Sequence, residues 1–137
     1  MRTGYGPFEN DDATDLIDDL IDEDDLEILI EEMEGWEAVD ADSPLSAVDA
    51  ARIVAAAEVA AALHGRAHER LPRHLARWLE DQMPIDATTR RRLLSLLQRV
   101  RKHSELSQRI ADSPDAEAWV AQMQDLEHRL VTPAAVG

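Results

Sequence analysis

Ser46-Ala47-Val48-Asp49-Ala50-Ala51-Arg52-Ile53-Val54-Ala55-Ala56-Ala57-Glu58-Val59-Ala60-Ala61-Ala62-Leu63 is the stretch that decides the fold. Alanine is the strongest helix former, and its side chain ends at Cβ. The stretch is therefore expected to be helical and to let neighbouring elements approach it closely on several sides. Ser43-Pro44 has the form of an N-cap followed by proline at the first helical position, and Gly65 after His64 is a natural end. This helix should be the central and most buried element of the molecule.

Helix signals continue outward in both directions. Upstream, Asn10 or Asp11 can cap a first helix that carries Leu16, Ile17, Leu20 and Ile21 on one side. Asp24-Asp25-Leu26-Glu27 has capping-box form and opens a second helix with Leu26, Leu29, Ile30 and Met33, for which Gly35 is the expected stop. Residues 36–42 then form a connector. Downstream, Leu71-Pro72 leads into a helix through Trp78 to about Gln82, closed by Met83-Pro84. Asp86 caps the next, with Leu93, Leu94, Leu96, Leu97 and Val100. A short piece from Glu105 to Ala111 precedes Ser113-Pro114, a second cap-plus-proline signal. The last helix carries Trp119, Val120, Met123, Leu126 and Leu130. No run shows sustained period-two alternation. The expected fold is all-α, a compact single-domain bundle of five to six helices spanning 1–137 around the Ala-rich helix.

Composition agrees with a globular body. Of 137 residues, 45% are hydrophobic and 31% charged, and aromatics are only 4%, so Leu, Ile, Val and Ala must supply most of the core. No cysteine is present, which removes disulfides, thiolate nucleophiles and thiolate metal ligands. The N-terminus lacks the apolar run of a signal peptide, and the apolar stretch from Ile53 to Leu63 is short and interrupted by Glu58. A cytoplasmic protein is expected.

Charge is distributed unevenly. Residues 1–50 hold 18 carboxylates against Arg2 alone, a net −17, whereas residues 51–137 hold 11 against 13 cations, a net +2. On the first helix Asp11, Asp15, Asp18, Asp19 and Asp22 follow helical spacing, and Glu27, Glu31 and Glu34 do so on the second. Like charges four apart cost a helix a few tenths of a kcal/mol per pair, and acid at a helix C-terminus opposes its dipole. Stability alone does not favour such rows. They would serve a basic partner, a divalent cation or the protein's own arginines. Arg66, Arg70, Arg73 and Arg77, with Arg90 to Arg92, Arg99, Arg101 and Lys102, are expected to pair with the first two helices. Nucleic acid and anionic membrane are not expected partners, because the acidic half repels them.

Other candidate chemistry is thin. His64, His68 and Glu69 invite a zinc reading, but Gly65 stands where a metal-peptidase helix needs Glu, and it should break the helix between the imidazoles. Two exposed histidines at a helix end are expected instead. Asp22 to Asp25 lacks the spacing of a calcium loop. Trp36, Trp78 and Trp119 read as core anchors. In Gly4-Tyr5-Gly6-Pro7-Phe8, the glycines allow tight backbone and the aromatics can latch the lead-in to the core. Asn10, Asp11 and Asp12 then sit where a helix N-terminus attracts oxygen acceptors.

The lead-in Gly4 to Ala13 resembles the opening of a bacterial family catalogued as domain of unknown function 4259, whose members start Trp-Gly-x-Gly-x-Phe-x-Asn-Asp. Ser46 to Leu63, with Ala-Ala-Glu-Val-Ala at Ala56 to Ala60, looks like that family's middle helix. Leu71-Pro72 with Trp78, and the Trp119 helix, keep the family's order, so the resemblance covers nearly the whole chain. Thr3 stands where the family has tryptophan, with Tyr5 as the neighbouring aromatic. The resemblance implies a fold and a length but no activity.

The expected function is a non-catalytic protein-binding module without a cofactor. It would present Asp15, Asp18, Asp19, Asp22, Asp25, Glu27, Glu31 and Glu34 to a basic protein, in its most concrete form as an inhibitor or immunity-type protein. One alternative is a divalent-cation-binding protein or metal-dependent hydrolase using Glu9, Asp11, Asp12 and His64 or His68. Another is a structural homo-oligomer.

Overall fold

A computed structural model describes Phe8 and residues 10–132. Among these, seven helices follow one another: α1 (Asp11–Glu23), α2 (Glu27–Glu37), α3 (Ala47–Leu63), α4 (Arg73–Leu79), α5 (Ala87–Lys102), α6 (Glu105–Ala111) and α7 (Ala116–Val131). The all-α class is as expected. The number exceeds five to six because the short piece α6 is closed as a helix of its own. Ser104 caps α6 by a capping box with Ser107, and its hydroxyl donates back to the Val100 carbonyl at 2.7 Å. Among the described residues no helix is long and apolar enough to cross a membrane.

The Ala-rich helix α3 packs against each of the other six. Eleven of its residues are buried, including the whole run from Ile53 to Ala61, so it has no solvent face along that run. Around it close Leu16 and Leu20 of α1, Leu29 and Met33 of α2, Leu93 and Leu97 of α5, and Leu126 and Leu130 of α7, each 1% exposed or less. Trp36 and Trp119 are buried as expected. Trp78 packs against the core while half-buried, and its indole N–H donates to Asp24 Oδ1 at 2.8 Å, so it also joins α4 to the end of α1.

Several helix ends differ from the sequence expectation. The cap of α3 is Ser46, whose Oγ accepts the Asp49 N–H, and not Ser43. Leu45 is drawn away into a parallel bridge beside Ser104: its N–H donates to the His103 carbonyl, and its own carbonyl accepts the Glu105 N–H at 2.8 Å. Gly35 does not stop α2, which continues through Trp36 to Glu37 because Trp36 extends the buried row of Leu29 and Met33. Asp24 is not a cap of α2 but the left-handed C-cap of α1 (φ 48°). The turn before α2 is held by Asp25 Oδ1, which accepts the Glu27 N–H. Ser113 closes the turn ahead of α7 by accepting the Asp115 N–H, and Asp115 rather than Ser113 occupies the N-cap. Helix α4 ends at Leu79, short of Gln82. Asn10, Asp86 and Gly65 (φ 78°) act at the helix ends the sequence assigned to them.

Candidate functional site

Helices α1 and α2 bury one row each and turn the opposite row outward. On α1 the buried row is Ala13, Leu16, Ile17 and Leu20, and helical spacing places Asp11, Asp15, Asp18 and Asp22 on the far side. On α2 the buried row is Leu29, Met33 and Trp36, with Glu27, Glu31 and Glu34 opposite. All eight carboxylates singled out from the sequence, Asp15, Asp18, Asp19, Asp22, Asp25, Glu27, Glu31 and Glu34, are exposed.

The arginines compensate the flanks of these helices and not their outer rows. Arg52 of α3 reaches Glu32, with Asp19 at 3.9 Å. Arg92 of α5 takes Glu37 in a two-point contact, its Nε donating to Oε2 at 3.0 Å. Hydrogen bonding from Arg92 holds the Glu37 carboxyl below the usual range, although burial acts in the opposite direction. Glu32 and Glu37 lie on the two flanks of α2, one beside α3 and the other beside α5.

Arg92 thus pairs with α2 as expected, whereas Arg90, Arg99 and Arg101 are engaged elsewhere, which corrects the expectation for these three. Arg99 donates to the Val39 carbonyl at 3.0 Å, to Ser43 at 2.8 Å and to Asp40, tying down the connector after α2. Arg90 donates to the carbonyls of Ile85 and Leu130. Arg101 pairs with Glu127 at 2.7 Å. Arg70, Arg73 and Arg77 are exposed around α4. Among the described ion pairs, Asp19 is the member of the eight that has an arginine partner.

Apolar surface adjoins this acid. Asp24, Asp25 and Glu27, at the junction of α1 and α2, share a cleft of about 400 Å³ with Leu26, Ile30, Ile85 and Asp86. Met83 lines the same cleft and is 78% exposed, the most exposed large hydrophobic residue described. Asp86 caps α5, and the Thr89 N–H holds its carboxyl below the usual range.

The N-terminal motif resolves into local roles where it is described. Asn10 Oδ1 accepts the Ala13 N–H at 2.8 Å as the cap of α1, and Asp11 and Asp12 occupy the first turn. Phe8 packs on the core and meets the His68 ring edge-on at 5.8 Å. Gly4, Tyr5, Gly6 and Glu9 lie outside the described residues. His64 and His68 are half-buried rather than exposed. His64 Nε2 donates to the Thr132 carbonyl at 2.6 Å, and His68 Nδ1 accepts the Arg70 N–H. Among the described residues no three of His, Asp and Glu come together to hold a metal ion.

One feature escaped the sequence reading. Glu58, 2% exposed on the Ala-rich helix, receives both Nη atoms of Arg129 from α7. Burial would lower the Arg129 pKa, but the hydrogen bonds it donates to Glu58 and Asp125 offset this and hold it raised. A lone charge within an alanine run was the available signal, but nothing in the sequence pointed to its partner.

The model of a domain of unknown function, DUF4259, matches residues 3–122 of the chain. The chain belongs to the DUF4259 family. The match starts in the Gly/aromatic lead-in and runs through six helices into α7, so the acidic rows, the central helix and Glu58 are all inside the family's domain. No curated protein and no solved structure matches the chain.

Proposed function

We propose that this DUF4259 protein is a non-catalytic binding module that presents the outer rows of α1 and α2 to a basic protein. The observation that carries this is the division of the acid. The flank carboxylates Glu32 and Glu37 are engaged by Arg52 and Arg92, whereas Asp15, Asp18, Asp22, Glu27, Glu31 and Glu34 stand exposed. A surface needed only for solubility would mix both signs. The cleft beside Met83 adds what a binding surface needs besides charge: the aliphatic stem of a lysine or arginine can lie against Leu26 and Ile30 while its cation meets Asp25, Glu27 or Asp86.

Dense acid steers a basic partner into encounter and makes association fast and salt-sensitive. An inhibitor or immunity-type protein covering the basic surface of a toxin or nucleic-acid-binding protein is the concrete form of this role. The cytoplasmic setting expected from the sequence is part of the same proposal.

The test is affinity capture from lysate of the source organism, with wild type and with Asp15→Asn/Asp18→Asn/Asp22→Asn, followed by binding kinetics on the purified partner. A basic protein held by wild type, released at high salt and lost by the variant supports the role. Identical captures by wild type and variant refute it.

A further inference from the structure

We infer that the cleft between α3, α7 and the segment 64–72 binds a small organic cation, an amine or guanidine carried on an apolar, ring-sized body. The cleft measures about 470 Å³, inside the range of roughly 300–1,000 Å³ typical of ligand sites. It lies on elements other than α1 and α2 and does not depend on the acidic rows. Val54 of α3 and Trp119, Met123 and Leu126 of α7 supply its apolar wall. The Glu58–Arg129 pair lines it as well, and exposed Glu69 and Asp125 stand at its mouth.

The charge of the ligand follows from which groups remain available. Arg129 Nη1 donates to Glu58 and to the Arg66 carbonyl, Nη2 to Glu58 and Nε to Asp125, so four of its five N–H bonds are used within the protein. An anion entering the cleft would find one guanidinium N–H, the His68 ring and the Gln122 amide against three carboxylates. A cation finds Glu69 and Asp125 open to it, with Asp125 Oδ2 sharing the Arg129 Nε–H and its side chain 65% exposed. A bare metal ion is not served, because no three described donors converge, whereas the Trp119–Met123 wall suits an apolar body.

Tryptamine is the probe and indole-3-propionate its charge-reversed counterpart, each titrated into the full-length ¹⁵N-labelled chain with the Trp119 indole N–H as reporter. Tryptamine should shift that signal saturably. Glu69→Gln with Asp125→Asn should weaken binding about tenfold, as expected for lost charge-assisted contacts, with the thermal melt retained. Asp15→Asn/Asp18→Asn/Asp22→Asn should bind tryptamine as wild type does, which separates this site from the acidic rows. The inference is overturned by the absence of a saturable shift up to about 10 mM ligand, by equal binding of indole-3-propionate, or by undiminished binding in the Glu69/Asp125 variant. Phe8 touches His68 on the lining, so a chain lacking residues 2–7 is titrated beside the full-length one. Tryptamine binding that appears only after residues 2–7 are deleted likewise overturns the inference.

Discussion

Glu58 and Arg129, 71 positions apart, face each other in a two-point ion pair, Nη1 to Oε1 at 2.8 Å and Nη2 to Oε2 at 3.0 Å, joining the central helix to the last one. Glu58 lies within the continuously buried run of α3, where an unpaired carboxylate would be costly. Removing the cation by Arg129→Met should therefore lower stability by about 3–5 kcal/mol. Glu58→Met with Arg129→Met should restore most of the loss, because an apolar pair of similar volume replaces a buried ion pair at little net cost. Urea midpoints of the three proteins at neutral pH decide it. A single variant as stable as wild type would show that the pair adds nothing to the fold.

The outer rows of α1 and α2 predict a salt response of the fold itself. Asp11 and Asp15, Asp18 and Asp22, and Glu27 and Glu31 are like-charge pairs four residues apart, each costing a few tenths of a kcal/mol. Moving from about 10 mM to 150 mM salt shortens the screening length from roughly 30 Å to 8 Å. The melting temperature should rise with salt, and Asp15→Asn/Asp18→Asn/Asp22→Asn should start higher and respond less. A melting temperature independent of salt in both proteins contradicts an uncompensated acidic face.

Acid sensitivity has an identifiable source in Glu37. Its folded pKa is depressed by hydrogen bonding from Arg92, so the unfolded chain takes up the proton first as pH falls. The stability this pair contributes is whole above the unfolded glutamate value of about 4.3 and is lost as pH drops through the lower folded value. Glu37→Gln should cost no more than about 1 kcal/mol near neutrality, as for an exposed pair. The gap from wild type should close as pH falls below the unfolded glutamate value of about 4.3. Denaturation midpoints across that range check the direction, and a gap that widens with acid would reverse the assignment.

Local signals were readable wherever the chain decides its own conformation within a few residues. Asn10, Asp86 and Gly65 could be placed from sequence because a cap or a left-handed end needs no distant partner. The burial of α3 could be read because alanine permits it on every side. Ser43-Pro44 misled because Leu45, next in the chain, is held by the backbone of His103 and Glu105 some sixty residues away. The destinations of Arg99, Arg101 and Arg129 were hidden for the same reason: charge pairing across helices is fixed by packing, and a single sequence carries no record of it. The acidic rows were legible as rows, because helical period alone sets them. Which acids would meet an arginine was decided by the helices standing on either flank.

Gly35 offers the sharpest check of how α2 is built. It lies inside the helix between buried Met33 and Trp36, and the positive-φ residues described are Asp24 and Gly65 only. A Cβ added at Gly35 would meet nothing within 4 Å. Nothing about its conformation or its surroundings then requires glycine, and its remaining effect is the backbone entropy it loses when the helix forms. Gly35→Ala should raise stability by about 0.5–1 kcal/mol, read as a higher urea midpoint with an unchanged slope. Were Gly35 instead the terminator its identity suggests, with left-handed backbone, the same substitution would introduce strain and lower the midpoint.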